Sequence, residues 1–293
     1  MIVCPRCRKK IHIFTSIYSC DSCQYCAKII DGIVFFAPES DDDFKDYDSS
    51  GLDTLFAAEE HHFWFKARKN FIKNLFDKYV NQNEKIIEIG AGTGNISRML
   101  INSGFEICVG EIHKNGLLYA KQYGIKELFQ FDLMRPPFYE HFDVVGLFDV
   151  LEHIDEDGLA LKNIYNMLKP GGKCILTVPA HGWLWSRDDA IARHKRRYEQ
   201  DGTRRLFIDN GFKIIVAKNF FVFLLPLLLL RTFLKKDNGS QIENRELMDY
   251  GKSLKIHPLT NSILYSIMCL ENFLMRNISP GIGGSIAVVA VKE

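Results

Sequence analysis

Two side-chain patterns in this chain are suited to chemistry. The first is Glu88-x-Gly90-x-Gly92-x-Gly94, which follows the apolar run Ile86-Ile87 and leads into a helix. Glycines at that spacing let the backbone turn sharply and come close to a ligand that a bulkier side chain would exclude. The spacing differs from Gly-x-Gly-x-x-Gly, and no lysine follows the turn, so a triphosphate would lack its main cation. A carboxylate, Glu111, closes the next strand about 20 residues later, where it can accept the hydroxyl hydrogens of a ribose. The second pattern is Cys4-Pro5-Arg6-Cys7 with Cys20-Asp21-Ser22-Cys23 after a gap of twelve residues. Cys4, Cys7, Cys20 and Cys23 supply four thiolates for a closed, structural zinc site, with a redox pair or two disulfides as the other readings. Cys26 follows three residues later, placed to compete as a ligand or to pack.

The elements that must position these groups alternate along the chain. A helix from Asn95 to Ser103 stops at Gly104, and the strand Phe105 to Val109 ends at Gly110-Glu111. A helix from His113 to Tyr123 ends at Gly124, and the strand Glu127 to Phe131 leads to Asp132. The strand beginning Phe142-Asp143-Val144-Val145 runs into Asp149-Val150-Leu151-Glu152-His153-Ile154, and Leu168-Lys169-Pro170-Gly171-Gly172 introduces a fifth strand ending at Pro179. A helix from Thr203 to Asn210, a sixth strand from Phe212 to Ala217 and a returning strand from Gly284 to Val291 complete the pattern. This order predicts an α/β fold with a seven-stranded doubly wound sheet whose last strand is antiparallel.

On these residues the chain resembles the class I S-adenosylmethionine-dependent methyltransferases. Glu88 to Gly94 is similar to their motif I, Phe142 to Ile154 to motif IV, and Leu168 to Pro179 to the helix, turn and strand that follow; the match covers roughly residues 84 to 180. The resemblance implies a Rossmann-like fold and S-adenosylmethionine as cofactor. It implies cofactor contacts from Glu88, Gly90, Ala91, Gly92, Gly94, Glu111, Ile112, Asp132, Leu133, Asp149 and Val150, with Asp132 at the adenine amino group. The stretch Ile29 to Phe36 resembles the Ile-Asp-Gly-Ile hairpin of small zinc-ribbon domains of the Trm112 type. The expected organisation is a zinc ribbon over 1–38, an acidic linker over 39–54 and a methyltransferase domain over 55–293.

Methyl transfer from a sulfonium is an in-line displacement, and a hydroxyl acceptor must also lose its proton. His153 and His181, past the fourth and fifth strands, are the candidate bases. The helix preceding the glycine turn carries His61, His62, Phe63 and Trp64 in its first turn, and His61 and Trp64 are candidate substrate contacts; surface or capping roles are the alternative. The loop from Ala180 to Tyr198 starts at the carboxyl end of a central strand, where open α/β sheets bind ligands. Its Trp183, Trp185, Arg193, His194, Arg196, Arg197 and Tyr198 suit an anionic group on something flat or apolar, or else form a solvated basic loop. That loop, with the His-His-Phe-Trp-Phe-Lys-Ala-Arg element, is similar to a bacterial methyltransferase subfamily associated with polysaccharide and lipid-carrier biosynthesis.

Residues 219–283 are an insertion before the last strand, longer than a hairpin loop. Its apolar start, Phe220 to Leu230, is shorter than the about 20 residues needed to cross a bilayer. Two helices burying each other, a peripheral membrane contact or a dimer face through 219–236 are the readings. A net charge of +1 gives no argument for a nucleic-acid partner. Eight cysteines without an export signal favour thiols and metal ligation in a cytoplasmic setting, free or membrane-associated. Three functions follow: O-methylation of a small-molecule or lipid- or sugar-linked acceptor, RNA methylation, or a non-catalytic interaction module.

Overall fold

The computed structural model describes residues 1–14, 17–37, 49–237, 239, 254, 256–276 and 278–293. Four short strands open the chain: β1 (His12–Phe14), β2 (Ile17–Ser19), β3 (Cys26–Ile30) and β4 (Ile33–Phe35). Helices α1 (Ser49–Glu59) and α2 (Phe63–Tyr79) precede β5 (Ile86–Ile89), α3 (Asn95–Asn102), β6 (Ile107–Glu111), α4 (Lys114–Gln122) and β7 (Leu128–Gln130). Then come β8 (Phe142–Phe148), α5 (Asp157–Met167), β9 (Leu168–Pro179), α6 (Arg187–Ile191), α7 (Gln200–Asp209) and β10 (Phe212–Phe220). The chain ends with α8 (Leu225–Leu234), α9 (Pro258–Leu274) and β11 (Ser285–Lys292).

Among the described residues eleven strands join one sheet in the order β1-β2-β3-β4-β7-β6-β5-β8-β9-β11-β10. β5 to β9 run parallel, and β11 returns antiparallel between β9 and β10. The expected count of seven is corrected to eleven, because β4 pairs in parallel with β7 through Ile33↔Leu128, Val34↔Phe129 and Phe35↔Gln130. Without β4, the main-chain groups along that side of β7 would form an open sheet edge. Of the expected acidic linker, 39–48 lies outside the described residues and 49–54 is helical in α1.

β5 and β8 are covered on both faces, so Ile86, Ile87, Val144, Val145 and Leu147 are fully buried, as the apolar strands of a parallel sheet require. One face of α2 buries Phe63, Ala67, Phe71, Ile72, Leu75 and Phe76 against the sheet. Trp64, expected in that stripe, is half-buried beside Phe221.

Mutual burial was one of three readings of the insertion; its two described helices find their main partners elsewhere. α9 packs along α2, where Asn261 Oδ1 accepts from the Phe63 amide at 2.8 Å and Asn70 donates to the Tyr265 hydroxyl at 2.9 Å. α8 packs on the short turn Gly182–Leu184. Buried Glu271 on α9 accepts from the Val222 and Phe223 amides, tying the two ends of the insertion to β10. Residues 238, 240–253, 255 and 277 of the insertion lie outside the described residues. Among the described residues no helix is long and apolar enough to cross a membrane.

The N-terminal strands are joined to the sheet through an aromatic cluster centred on Phe138. Its fully buried ring meets Phe36, Phe129, Phe131 and Phe142 at centroid distances of 4.9–6.3 Å. The Val3 amide bonds Pro137 O at 2.8 Å beside it. Phe138→Ala removes a ring that both parts share and is expected to cost about 3–5 kcal/mol, read as a lowered midpoint in urea denaturation. A loss below about 1 kcal/mol would mean that the cluster does not couple them.

Candidate active site

At the carboxyl end of β5 the chain turns through Gly90, Gly92 and Gly94, all at positive φ. At Gly90 the fit is tightest: a Cβ there would stand 2.6 Å from Val150 Cγ2, while its amide bonds Gly110 O at 2.8 Å. Gly94 precedes the first turn of α3. Glu111, at the end of β6, fixes the turn: its Oε2 accepts from the Gly92 amide at 2.8 Å, and Oε1 from the Ile112 and His113 amides at 2.7 and 3.0 Å. Asp132 follows β7, with Oδ1 accepting from the Met134 amide at 2.8 Å.

A cavity of about 930 Å³ lies over these strand ends. Glu88, Gly90, Ala91, Gly92, Glu111, Ile112, Asp132, Leu133, Asp149 and Val150 all line it; Gly94 shapes the turn from outside the wall. Glu88 is fully enclosed and accepts from the Ser97 hydroxyl, and Glu59 from α1 accepts from the Thr93 hydroxyl. Burial pushes both carboxyls up to about 7, against the opposing pull of those hydroxyls and of Arg68. Arg68 reaches in from α2, pairing through Nε with Asp149 Oδ2 at 2.7 Å and donating to Phe148 O. Thr177 holds the other Asp149 oxygen at 3.0 Å. Sequence reasoning missed Arg68 and Glu59, although both stand in the segment just before the glycine turn.

Beyond Asp149 the wall continues through Glu152, His153 and His194, one ligand atom from each lying within 4.8 Å of the others. His194 Nδ1 bonds Asp189 Oδ1 at 2.9 Å, and Arg197 clamps the same carboxylate through Nε and Nη2 at 2.8 and 3.0 Å. Burial would raise the Asp189 carboxyl, but these two partners hold it at about 2. Burial and the neighbouring Asp149 push Glu152 well above the carboxylate range.

Several expected contacts stand elsewhere. Of the two candidate bases only His153 lines the cavity: His181, at φ +60, turns its Nδ1 to Glu199 Oε2 at 2.8 Å and stacks on half-exposed Trp183. Trp185 donates to Asp237 at 3.0 Å instead of facing the cavity. Arg196 is held by Asp157 at 2.9 Å and the Tyr198 hydroxyl by Asp157 and Leu151 O, so neither reaches the wall; Arg193 is also outside it. Arg197 lines the cavity, yet Asp189 already neutralises it, which removes the free anion-binding cluster read from the run of bases. His61 is exposed and outside the wall; its neighbour His62 lines the cavity with Trp64, and burial lowers the His62 pKa to about 4.

The far wall is α8. Leu227, Leu228 and Leu230 face the cavity with Leu224 just before the helix, and Asp188 holds the helix there by accepting from Arg231 Nε at 2.5 Å and Lys235 Nζ at 3.1 Å. An apolar run in the sequence signals burial or docking equally, so its place over the cavity was not readable.

At the other end of the molecule Cys4, Cys7, Cys20 and Cys23 bring their sulfurs within 4.8 Å of one another, with Cys4–Cys23 and Cys7–Cys20 both at 3.5 Å. Four thiols so gathered match a tetrahedral thiolate site. Cys26 is exposed and outside the cluster.

Residues 56–217 match the family model described as a methyltransferase domain, more than half of the chain. No curated protein matches the sequence. Among solved structures, the phosphoethanolamine N-methyltransferase 2 of Haemonchus contortus, in complex with S-adenosyl-L-methionine, superposes with a TM-score of 0.56 at 18% identity; the match covers 86% of this chain and 60% of that one. A chain from the complex of the Haloferax volcanii Trm112 methyltransferase activator with a methyltransferase gives 0.54 at 15% identity, covering 86% and 96%. A SAM-dependent methyltransferase of Thermotoga maritima, titled a possible histamine N-methyltransferase, gives 0.53 at 17%, covering 87% and 99%. At these identities the likeness is one of fold.

Glu88 provides a pH signature. In the folded chain it keeps its proton to about 7, whereas its ordinary value is 4.5. Between these values the folded state binds more protons than the unfolded one, so stability falls as pH rises through that window, by about 3 kcal/mol from this group. Urea denaturation at pH 5 and pH 8 is expected to show that loss in the wild type, reduced by about this amount in Glu88→Gln. Equal pH slopes in the two proteins would contradict it.

Proposed function

The chain belongs to the methyltransferase-domain family, and from that premise we propose that this S-adenosylmethionine-dependent methyltransferase methylates an oxygen of a small-molecule or lipid- or sugar-linked acceptor. The observation that carries the reading is a single cavity with two unlike ends. One is walled by the glycine turn, Glu111 and Asp132, the other by leucines of α8 with Glu152, His153 and His194 between them.

S-adenosylmethionine, when bound, supplies an electrophilic methyl group on sulfur. The protein's work is to position both partners and to take a proton. Three backbone amides occupy about three of the roughly four acceptor positions of Glu111, which leaves one for a ribose hydroxyl on a carboxylate already fixed in place. Asp132 and Leu133 are assigned to the adenine side, and Glu88, Gly90 and Gly92 to the amino-acid side. Asp149, held by Arg68 and Thr177, forms the floor between cofactor and acceptor. Such fixed groups lower the barrier chiefly by holding the reacting atoms in line.

The acceptor side has an apolar wall and a small polar cluster, which suits a hydroxyl carried on a lipid or other hydrophobic body. His153 is the candidate to receive the hydroxyl proton, as a member of that cluster; His181 lacks access to it. The bases of the 193–198 loop are largely neutralised within the protein, Lys195 by Asp155, Arg196 by Asp157 and Arg197 by Asp189, which weighs against a phosphate-tracking nucleic-acid surface. We assign zinc to Cys4, Cys7, Cys20 and Cys23 as a structural ion. It would stiffen the turns that carry β1 to β4.

Calorimetric titration with S-adenosylmethionine tests the reading. The wild type is expected to bind, and Glu111→Ala to bind at least tenfold more weakly, a loss of about 1.4 kcal/mol or more. Absence of binding by the folded wild type would leave the interaction-module reading instead.

A further inference from the structure

The cluster of Glu152, His153 and His194 contains a feature that proton transfer alone leaves unexplained. Glu152 is fully buried, and neither of its carboxylate oxygens has a hydrogen-bond partner among the described residues. Buried carboxyl groups are ordinarily hydrogen-bonded, paired or bound to a metal. A proton on Glu152 would not repair this, because its O–H would also lack a partner.

The two histidines are arranged around that orphaned group. His194 has its Nδ1 committed to Asp189, which leaves Nε2 facing Glu152 Oε1 at 4.0 Å. Arg197 grips Asp189 in turn, so the imidazole is oriented by a carboxylate that is itself clamped. A carboxylate behind one histidine nitrogen is the usual support for a metal on the other. The ring of His153 meets that of His194 edge-on at 4.9 Å, and the three donor atoms lie within 4.8 Å of one another, a spacing that one ion can span.

We propose that Glu152, His153 and His194 form a divalent-cation site of the Mn²⁺, Fe²⁺ or Zn²⁺ class, placed on the acceptor side of the methyl-transfer cavity. Two imidazoles and one carboxylate suit such ions and leave coordination positions open. This proposal rests on the methyltransferase reading and gives the cluster its chemistry, with His153 serving as a cation ligand in place of direct proton acceptor. An acceptor hydroxyl taken into an open position ionises more readily because the cation stabilises the oxyanion. Its O–H bond breaks and the proton leaves to water. The oxygen pair then forms the bond to the methyl carbon, the carbon–sulfur bond breaks, and its electron pair stays on sulfur as a neutral thioether. The products are the methyl ether, S-adenosylhomocysteine and one proton.

Mn²⁺ is the probe, because the soft thiolates of the four-cysteine cluster disfavour this hard ion. Full-length protein is titrated with Mn²⁺ and the free-ion electron paramagnetic resonance signal is followed. The expected result is one Mn²⁺ per chain, with affinity reduced at least tenfold in Glu152→Gln and in His194→Gln. S-adenosylhomocysteine binding, measured by calorimetry in the same samples, shows that each variant is folded and reports separately on the methyltransferase reading. A wild type that binds S-adenosylhomocysteine but no Mn²⁺ would overturn the cation site while leaving that reading intact. Equal Mn²⁺ binding by the wild type and both variants would put the ion elsewhere and overturn it as well.

Discussion

The grip of Glu111 on the glycine turn is the interaction on which the rest of the molecule's upper face depends. One side chain joins the end of β6 to the loop after β5 by accepting from the Gly92, Ile112 and His113 amides. The two strands are neighbours in register, Ile89 opposite Gly110, so the bond forms without bending either of them. Val150, just past β8, closes over Gly90 of the same turn with no room for a Cβ. Cavity floor, acidic wall and switch point of the sheet are therefore one construction.

A pair of adjacent residues organises the opposite side of the cavity. Asp188 and Asp189 stand next to each other at the start of α6, both buried, and their carboxylates face different work. Asp188 holds the basic end of α8 over the cavity, and Asp189 aligns His194 and Arg197 beneath it. The loop after β9 thus braces this side of the cavity through its acids, Asp188 toward α8 and Asp189 toward the loop's own His194 and Arg197. Removing Asp189 would leave the largely enclosed Arg197 without its carboxylate, which is the costly way to break an ion pair.

The glycine-turn half of the cavity was legible in the sequence because its determinants are local. Glycine spacing, the carboxylate ending the next strand and the alternation of strands and helices each sit within a few residues of what they position, and ten of the eleven expected residues line the cavity. The half under α8 was less so, because its partners are far apart along the chain. Nothing near Arg231 shows that Asp188, 43 residues earlier, will hold it, and nothing near His181 shows that Glu199 will take its ring. The eleven-stranded sheet escaped notice for a related reason: β4 and β7 pair through main-chain bonds, which the side-chain pattern does not encode. The four cysteines were legible because metal-ligand spacing is local, and the structure gathers the four that the spacing picked out, without Cys26.

The central claim, that the glycine turn and Glu111 form a cofactor site continuous with an acceptor chamber, is tested most directly by diffraction from crystals grown with S-adenosylhomocysteine. The account predicts density over Gly90 and Gly92, a ribose hydroxyl on Glu111, and the sulfur directed toward the chamber between Asp149 and α8. Ligand density at another place on the protein, or a ribose that leaves Glu111 untouched, would contradict it.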